Sequence, residues 1–527
     1  MKKLFKKIDF LEISWLEGWR PYFLIFAIGF LLYSQTLFFD FTYFDDSTLI
    51  LEKTEILSDF KNINLLFSTD AFFSGVKIYY RPLLNLSFML DAQADATLPV
   101  FYHLSNILIH CLASILVFLL LTKLINKRSL AFFLSLIFLI HPIMTQAVAW
   151  IPGRNDSLLA VFVLASFILF LEFLRRPRLL YYLGYLFFLF CSLFTKESAV
   201  ALPVLVILYF LFIDGGFLKR SDKWLLVAGS AVTGFVWFLS RTLALGSGSV
   251  DYLSALEGIV KNSPALLVAV GKLIFPFNLS VLPILEDSTL VYGLIALPIL
   301  ILALIFSRGK RINRLIFGAG WFLMFLLPSF IRFNDQPDFL EHRLYLPLVG
   351  FFLLIAEIDW IKELDFEKKK NKIISGLILI LFLVLTINQS TYFKDQLVFW
   401  GRAAQDSPHS ALAHRNLGAM YYFAGRKDEA VVEYKKSLAL NEGEEMAHNN
   451  LGVIYMERGD LVAAEEEFKK ELSINPGYDR ALFNLGDLYY RQDKKSEAAK
   501  FWLQAAKSNP YNPEIYQRLL IFDKQLK

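Results

Sequence analysis

Long apolar runs separated by short charged turns fill the first 391 residues, and a different rhythm takes over after that. Residues 107–122 hold no ionisable side chain except His110 and Cys111, and 373–387 hold none. As a helix, about 20 apolar residues cross a hydrocarbon layer of about 30 Å. By that measure the pattern predicts eleven spans, at 21–39, 101–121, 131–150, 158–174, 179–194, 199–213, 224–240, 290–307, 315–331, 344–358 and 373–387. One further apolar stretch, 259–277, carries Pro264, Lys272 and Pro276. It is expected as an outward-side interfacial or re-entrant segment, with a tight hairpin pair as the alternative. Between the first two spans lies a polar loop, residues 40–100.

From residue 392 the chain is rich in alanine and glutamate and repeats every 34 residues. Asn-Leu-Gly recurs at 416–418, 450–452 and 484–486; tyrosine recurs at 421, 455 and 489, and alanine at 430, 464 and 498. An aromatic follows in each repeat, as Tyr434, Phe468 and Trp502. This is the tetratricopeptide signature, with small residues where paired helices touch and aromatics filling the gap. Each repeat buries its apolar face only against a neighbour. Three full repeats are read at 411–444, 445–478 and 479–512, with caps at 392–408 and 514–526. The predicted fold is all-α: a polytopic helical membrane domain (1–391) followed by a tetratricopeptide α-solenoid (392–527).

Composition agrees with this division. The 527 residues are 56% hydrophobic and only 19% charged, with 52 phenylalanines; the net charge of +4 says little by itself, and no nucleic-acid partner is expected. Cys111 and Cys191 both fall inside apolar spans and read as small buried hydrophobes. The basic start, Met1-Lys-Lys-Leu-Phe-Lys-Lys7, precedes a long apolar run without an A-x-A-type cleavage site and is expected as an uncleaved signal anchor. Lysine and arginine cluster in cytoplasmic loops. Here they cluster at the N-terminus, Lys123/Lys127/Arg128, Arg175/Arg176/Arg178, Lys219/Arg220/Lys223, Arg308/Lys310/Arg311/Arg314 and Lys362/Lys368/Lys369/Lys370/Lys372. Placing all six inside needs an odd number of spans and turns the Asp45 loop and the C-terminal tail outward.

On that outward side stand polar residues that a membrane protein keeps at a cost. Asp45-Asp46 follows the first span, Arg81 precedes the second, and His103, Asn106 and His110 share one helix face at i, i+3 and i+7. His141-Pro142 breaks the third span, and Arg154-Asn-Asp156 follows its outer end. Lys196-Glu197 fills a short turn, and Glu341-His-Arg343 with Tyr345 opens the tenth span. The structural alternatives are plain: a solvated acidic turn, an interfacial ion pair, a snorkelling arginine, histidines satisfied by neighbouring helices. Yet an ionisable group at the centre of a spanning helix costs about 2.5–3.5 kcal/mol and as a rule faces a cavity or partner. Arg81, Arg154, Lys196 and Arg343 opposite Asp45 and Asp46 would place an anion site beside a base, which suits cleavage of a phosphate-linked donor. In the solenoid, Arg415, Asn416, Asn449, Asn450 and Asn484 repeat along one face and are expected to bind an extended acceptor, the alternative being that the asparagines brace neighbouring repeats.

The order of these motifs resembles the transmembrane and tetratricopeptide-repeat-containing O-mannosyltransferase family and its bacterial relatives, within the GT-C glycosyltransferase superfamily. The matching pieces are Phe44-Asp-Asp46, Tyr80-Arg-Pro-Leu83, His103-Leu-Ser-Asn106 with His110, His141-Pro142 through Gly153-Arg154 and Asp156, Lys196-Glu197 with Pro203, Glu341-His-Arg-Leu-Tyr-Leu-Pro347, and the repeats. Where the family reads a second histidine and then a glutamate after His-Pro, this chain has Met144 and Gln146. The resemblance implies that Asp45 or Asp46 is the catalytic base, that Arg81, Lys196, His342 and Arg343 face the donor phosphate, and that His103, Arg154, Glu197, Glu341 and Tyr345 support them. It implies an inverting transferase that moves mannose or another hexose from a polyprenyl-phosphate donor to a hydroxyl of a protein or glycan on the outward face, the repeats recruiting the acceptor or a partner protein. A divalent metal is compatible with this reading but not demanded by it. The short repeat array points to a bacterial inner membrane, with the N-terminus cytoplasmic and the repeats periplasmic or extracellular. The competing readings are a non-catalytic membrane-anchored scaffold and a lipid-linked sugar flippase. The sugar, acceptor, metal requirement and oligomeric state are left open.

Overall fold

The computed structural model describes residues 16–73, 78–214, 222–246, 252–331, 340–510 and 512–526. The N-terminal basic cluster and Lys219 and Arg220 lie outside the described residues. Every regular element among the described residues is helical, and the chain divides into two compact units, Met1–Phe399 and Trp400–Lys527.

The first unit is built on α1 (Arg20–Tyr33), α2 (Asp45–Leu49), α3 (Pro82–Asp95), α4 (Pro99–Ile125), α5 (Arg128–Ile140), α6 (Arg154–Arg175), α7 (Leu179–Thr195), α8 (Ala201–Tyr209), α9 (Asp222–Leu245), α10 (Ala265–Ile274), α11 (Val291–Phe306), α12 (Ile312–Leu326), α13 (Pro347–Ile355) and α14 (Lys369–Ser390). Local chemistry sets several boundaries. Prolines stand in the first turns of α3 and α4, where the missing N–H has no helical partner to lose. Asn126 ends α4 in the left-handed conformation (φ 59°), which asparagine tolerates. At His141-Pro142 the third span bends by 50°, and the His141 ring accepts the Ile143 N–H that the break frees.

Among the described residues, seven helices are long and apolar enough to cross a membrane, or eight if the bent pair Arg128–Ile140 and Pro142–Ala149 counts as one span. The chain is an integral membrane protein. This count is lower than the eleven expected from the apolar runs. α7 and α11 have 17 and 16 residues, about 24–26 Å at 1.5 Å per residue. The run at 344–358 resolves into a 3₁₀ turn, Glu341–Leu344, and the nine-residue α13. The stretch 259–277 breaks at Asn262–Pro264, and the ten-residue α10 that follows is too short to cross. α10 packs on α11 so closely that a Cβ on Gly293 would stand 2.0 Å from the Leu267 carbonyl oxygen. Outward-facing positions of α11 and α14, such as Leu294, Ile299, Leu377 and Ile380, are exposed yet apolar, as lipid contact requires.

The loop at 40–100, expected as polar, is folded. Short helices and α3 close over Phe41, Leu49, Ile50, Leu57, Leu66, Phe88 and Met89, which also meet Tyr102 and Ile151. This small core fixes α2, and with it Asp45 and Asp46, against the start of α6.

The second unit stacks three helix pairs, α15 (Ala411–Phe423) with α16 (Lys427–Leu440), α17 (Ala447–Glu457) with α18 (Leu461–Ile474), and α19 (Asp479–Arg491) with α20 (Lys495–Ser508), followed by α21 (Pro513–Leu526). Tyr434, Phe468 and Trp502 are buried and lie against Gly418, Gly452 and Gly486; a Cβ there would stand 2.5–2.9 Å from the facing ring. That contact explains the recurring Asn-Leu-Gly.

Candidate functional site

The two adjacent aspartates have different surroundings. Tyr43 adopts a left-handed φ of 54°, which turns the chain sharply into α2. Asp46 is buried and fully engaged: it accepts the Thr42 N–H, the Thr42 hydroxyl at 2.9 and 3.0 Å and the Trp150 indole N–H at 3.1 Å. The Asp45 carboxylate, half-buried, accepts no hydrogen bond and joins no ion pair among the described residues. Burial, reinforced by the charge of Asp46, pushes its carboxyl up to about 7, while Arg81 and Arg343 hold it down. Burial also raises Asp46, against the hydrogen bonds from Thr42 and Trp150.

Around Asp45 lie the cations. Arg81 Nε donates to Glu197 at 3.1 Å, its guanidinium lies 4.3 Å from the centre of the Tyr79 ring, and the Tyr80 N–H donates to the same glutamate at 2.9 Å. Lys196 donates to Asp156 at 2.6 Å and to Asn155 at 3.1 Å. His342 places Nε2 3.4 Å from the same oxygen of Asp156. Arg343 feels Asp156, Tyr79, Arg81 and Asp45 together, and burial is the main force lowering it. Burial lowers Lys196 as well, against the pull of Asp156. Asp45, Arg81, Lys196, Glu197, His342 and Arg343 thus form one recess, joined by Asp156.

Asp156 was not among the expected site residues, although it stands in the Gly153-Arg154 motif; its signal was its place two residues after a conspicuous arginine. Gln146, the departure from the family pattern, also belongs here. Its side-chain oxygen accepts the His342 backbone N–H at 3.0 Å and faces His342 Nδ1 at 3.1 Å, and its amide donates to the Val281 carbonyl at 2.8 Å. A carboxylate could not make that last bond. Met144 is buried in the apolar core.

The other expected residues lie behind the recess. Arg154 is fully buried and pairs with Asp91 at 2.6 Å; it also donates to Asn106 at 2.6 Å, to the Tyr102 carbonyl at 2.7 Å and to Ser87 at 3.2 Å. Expected among the outward cations and as a support of the site, it is a clamp between α3, α4 and α6. Glu341 is buried with Lys272 at 2.7 Å and accepts the Ser280 N–H at 2.8 Å. The Tyr345 hydroxyl lies 2.6 Å from His110 Nδ1, while His110 Nε2 lies 2.9 Å from the Leu139 carbonyl. Since a carbonyl only accepts, Nε2 carries the proton and Tyr345 donates. His103 is buried against the Phe39 ring. Among the described residues no group of three His, Cys, Asp or Glu is set to hold a metal.

In the repeats, Arg415 pairs with Glu444 at 3.1 Å and donates to the Glu445 carbonyl at 3.1 Å. Asn416 accepts from Arg415. Asn449 is buried, donates to Asn450 at 3.3 Å and accepts from Asn484 at 2.9 Å. Of these bonds, Arg415 to the Glu445 carbonyl and Asn484 to Asn449 run between repeats and the others stay within one; Asn416, Asn450 and Asn484 stay half-buried.

Two tetratricopeptide repeat family models match residues 424–479 and 455–520. The chain is similar to the protein O-mannosyl-transferase F38B6.6 of Caenorhabditis elegans, with 24% identity over 451 residues, 81% of this chain and 64% of that protein. It is similar to the protein O-mannosyl-transferase TMTC1 of Homo sapiens, with 26% identity over 437 residues, 68% of this chain and 48% of that protein. With Tmtc1 of Drosophila melanogaster it shares 36% identity over 146 residues, 27% of this chain and 17% of that protein. The chain therefore spans less than two thirds of the length of each of these relatives.

Proposed function

We propose that the chain, similar to the O-mannosyl-transferases named above and carrying tetratricopeptide repeats, is an inverting membrane glycosyltransferase, with a polyprenyl-phosphate sugar as donor and a hydroxyl of a protein or glycan as acceptor. The observation that carries this reading is Asp45, a carboxylate with no bonded partner among the described residues, raised to about 7 beside Arg81 and Arg343. A general base works best when its pKa lies near the operating pH. Asp45 removes the acceptor's hydroxyl proton as the oxygen bonds to the sugar's anomeric carbon from the face opposite the phosphate. The bond from that carbon to the phosphate oxygen breaks, and polyprenyl phosphate leaves with the electron pair. Arg81, Lys196 and Arg343 stabilise the departing charge, with His342 beside them. Asp46 holds α2 in place through Thr42 and Trp150. An apolar groove of about 340 Å³ beside this turn supports a prenyl donor. It is lined by Leu193 and Val200, on either side of Lys196-Glu197, and by Pro203, Val206 and Trp237.

Mannose is the sugar that the names of the relatives favour. The recess faces outward in this reading, from a bacterial inner membrane, and the repeats bind the acceptor or a partner protein. Purified full-length protein in nanodiscs, supplied with polyprenyl-phosphomannose or polyprenyl-phosphoglucose and a hydroxyl-bearing peptide, tests it. Release of polyprenyl phosphate with sugar on the peptide, or on water, is the expected result. Neither donor being consumed under any acceptor would overturn it.

A further inference from the structure

The helices that begin near Asp45 end in a second polar cluster. α4 runs to Lys123, α6 to Arg175, and α8 continues into a π-helical turn, Phe210–Asp214. Such widened turns recur at functional sites. Here the turn opens a cavity of about 90 Å³ lined by Lys123, Tyr209, Ile213, Arg314, Phe317 and Glu357. A water needs about 10–15 Å³ by this measure, so the space suits a phosphate group with its ester oxygens.

The charges around it do not balance. Glu357 is buried, pairs with Arg311 at 2.6 Å and lies 3.9 Å from both Arg314 and Lys362. Glu172 is shared by Lys123 and Arg175. Five cations thus share two carboxylates, with Asp214 a third acidic group felt at Tyr209. Arg314 spends one N–H on the Leu124 carbonyl, at 2.5 Å; its Nε and Nη2 donate to nothing among the described residues. A guanidinium carries five donors, so most of this one is uncommitted. The cavity wall is otherwise apolar, and Leu211, Ile312 and Ile316 nearby are exposed. A ligand here needs an anionic head and an apolar body. Basic pockets between membrane helices bind anionic lipid headgroups for that reason.

We infer that this cavity binds the phosphate of an anionic phospholipid, with Arg314 and Lys123 as donors. The site is separate from the Asp45 recess and does not depend on the transferase reading. The test uses the full-length protein in detergent, titrated with phosphatidylglycerol, phosphatidylcholine or inorganic phosphate and followed by native mass spectrometry and thermal unfolding. Phosphatidylglycerol should bind saturably and raise Tm, and phosphatidylcholine should not. Arg314→Gln and Lys123→Gln should each weaken phosphatidylglycerol binding by about tenfold or more, because each removes a charge-assisted donor. Should Arg314→Gln fail to fold for want of its Leu124 contact, Lys123→Gln decides alone. Equal binding of both lipids, or phosphatidylglycerol binding unchanged in the folded variants, overturns the proposal. Inorganic phosphate reproducing the whole shift overturns the lipid and leaves a free-anion site.

Discussion

Replacing each aspartate of the pair singly separates the chemistry of α2 from its architecture. Asp45→Asn keeps shape and removes charge. The Asp45 carboxylate accepts no hydrogen bond among the described residues, so the substitution breaks none, and it relieves a desolvated carboxylate from its neighbour Asp46. Tm should hold or rise. Transfer should fall by about 10²–10⁴-fold, the usual contribution of a general base. Asp46→Asn does the opposite. Asp46 accepts from the Thr42 N–H and hydroxyl on one side and from Trp150 on the other. Asparagine has one accepting oxygen, so its amide must face a donor on one side. Losing a hydrogen bond to a charged group costs about 1.5–3 kcal/mol, so Tm should drop, and activity should fall with the disorder of α2 rather than vanish. Single-turnover donor consumption in nanodiscs, with thermal unfolding of the same samples, reads both. If Asp45→Asn turns over within about tenfold of the parent while Asp46→Asn is dead at unchanged Tm, the roles are reversed and the argument fails.

Three other outcomes follow from the same contacts, and a fourth from the expected topology. Only ionised Asp45 can act as base, so kcat/KM should fall as pH drops below about 7, and Arg343→Gln, which removes a cation favouring the ionised form, should move that limb to higher pH; an unmoved or lowered limb counts against Asp45. Because the folded protein holds this proton up to about 7 and the unfolded chain only to about 3.8, Asp45 favours folding at low pH, and that contribution is lost as pH rises from about 4 to 7; Asp45→Asn should flatten the slope of Tm over this window. Arg154→Met leaves Asp91 buried without its cation and should cost about 3–5 kcal/mol, visible as lost monodisperse protein in size exclusion, whereas a well-folded variant would show the clamp to be dispensable. A cysteine at Asn441 should react with a membrane-impermeant reagent added to intact cells; labelling solely from the cytoplasmic side would turn the topology over.

The repeats were legible because their physics is periodic: a 34-residue step repeats one contact, ring on glycine, three times. The membrane character was legible from apolar runs, but their number was not, since an apolar run does not say how much of itself is helical. Pro347 and the turn at Glu341–Leu344 shorten one run, and Pro264 splits another. The polar loop hid a core because its apolar residues come from several short helices with no sustained period. In the recess, sequence found the residue types and their order. It could not tell Asp45 from Asp46, since nothing local says which side chain Trp150, 104 residues away, will engage. Nor could it tell that Arg154 faces Asp91 while Lys196 faces the recess, because both are single cations at a helix end.

Among the described residues, the cations of the recess are already engaged before any phosphate arrives. Arg81 is bound to Glu197 and Lys196 to Asp156, with His342 on the same aspartate. Unpaired cations at this depth would each cost several kcal/mol, so the paired resting state is what lets them be buried at all. In the transferase reading a donor phosphate therefore enters by exchange, taking over donors from Glu197 and Asp156. The exchange reaches the base. Arg81 and Arg343 are the two cations that hold Asp45 down. As the phosphate's negative charge engages them, their pull on Asp45 weakens and its affinity for a proton rises. A base already near neutrality then becomes stronger once the donor is in place. Wasteful deprotonation without donor is disfavoured by the same two arginines that later hold the leaving group.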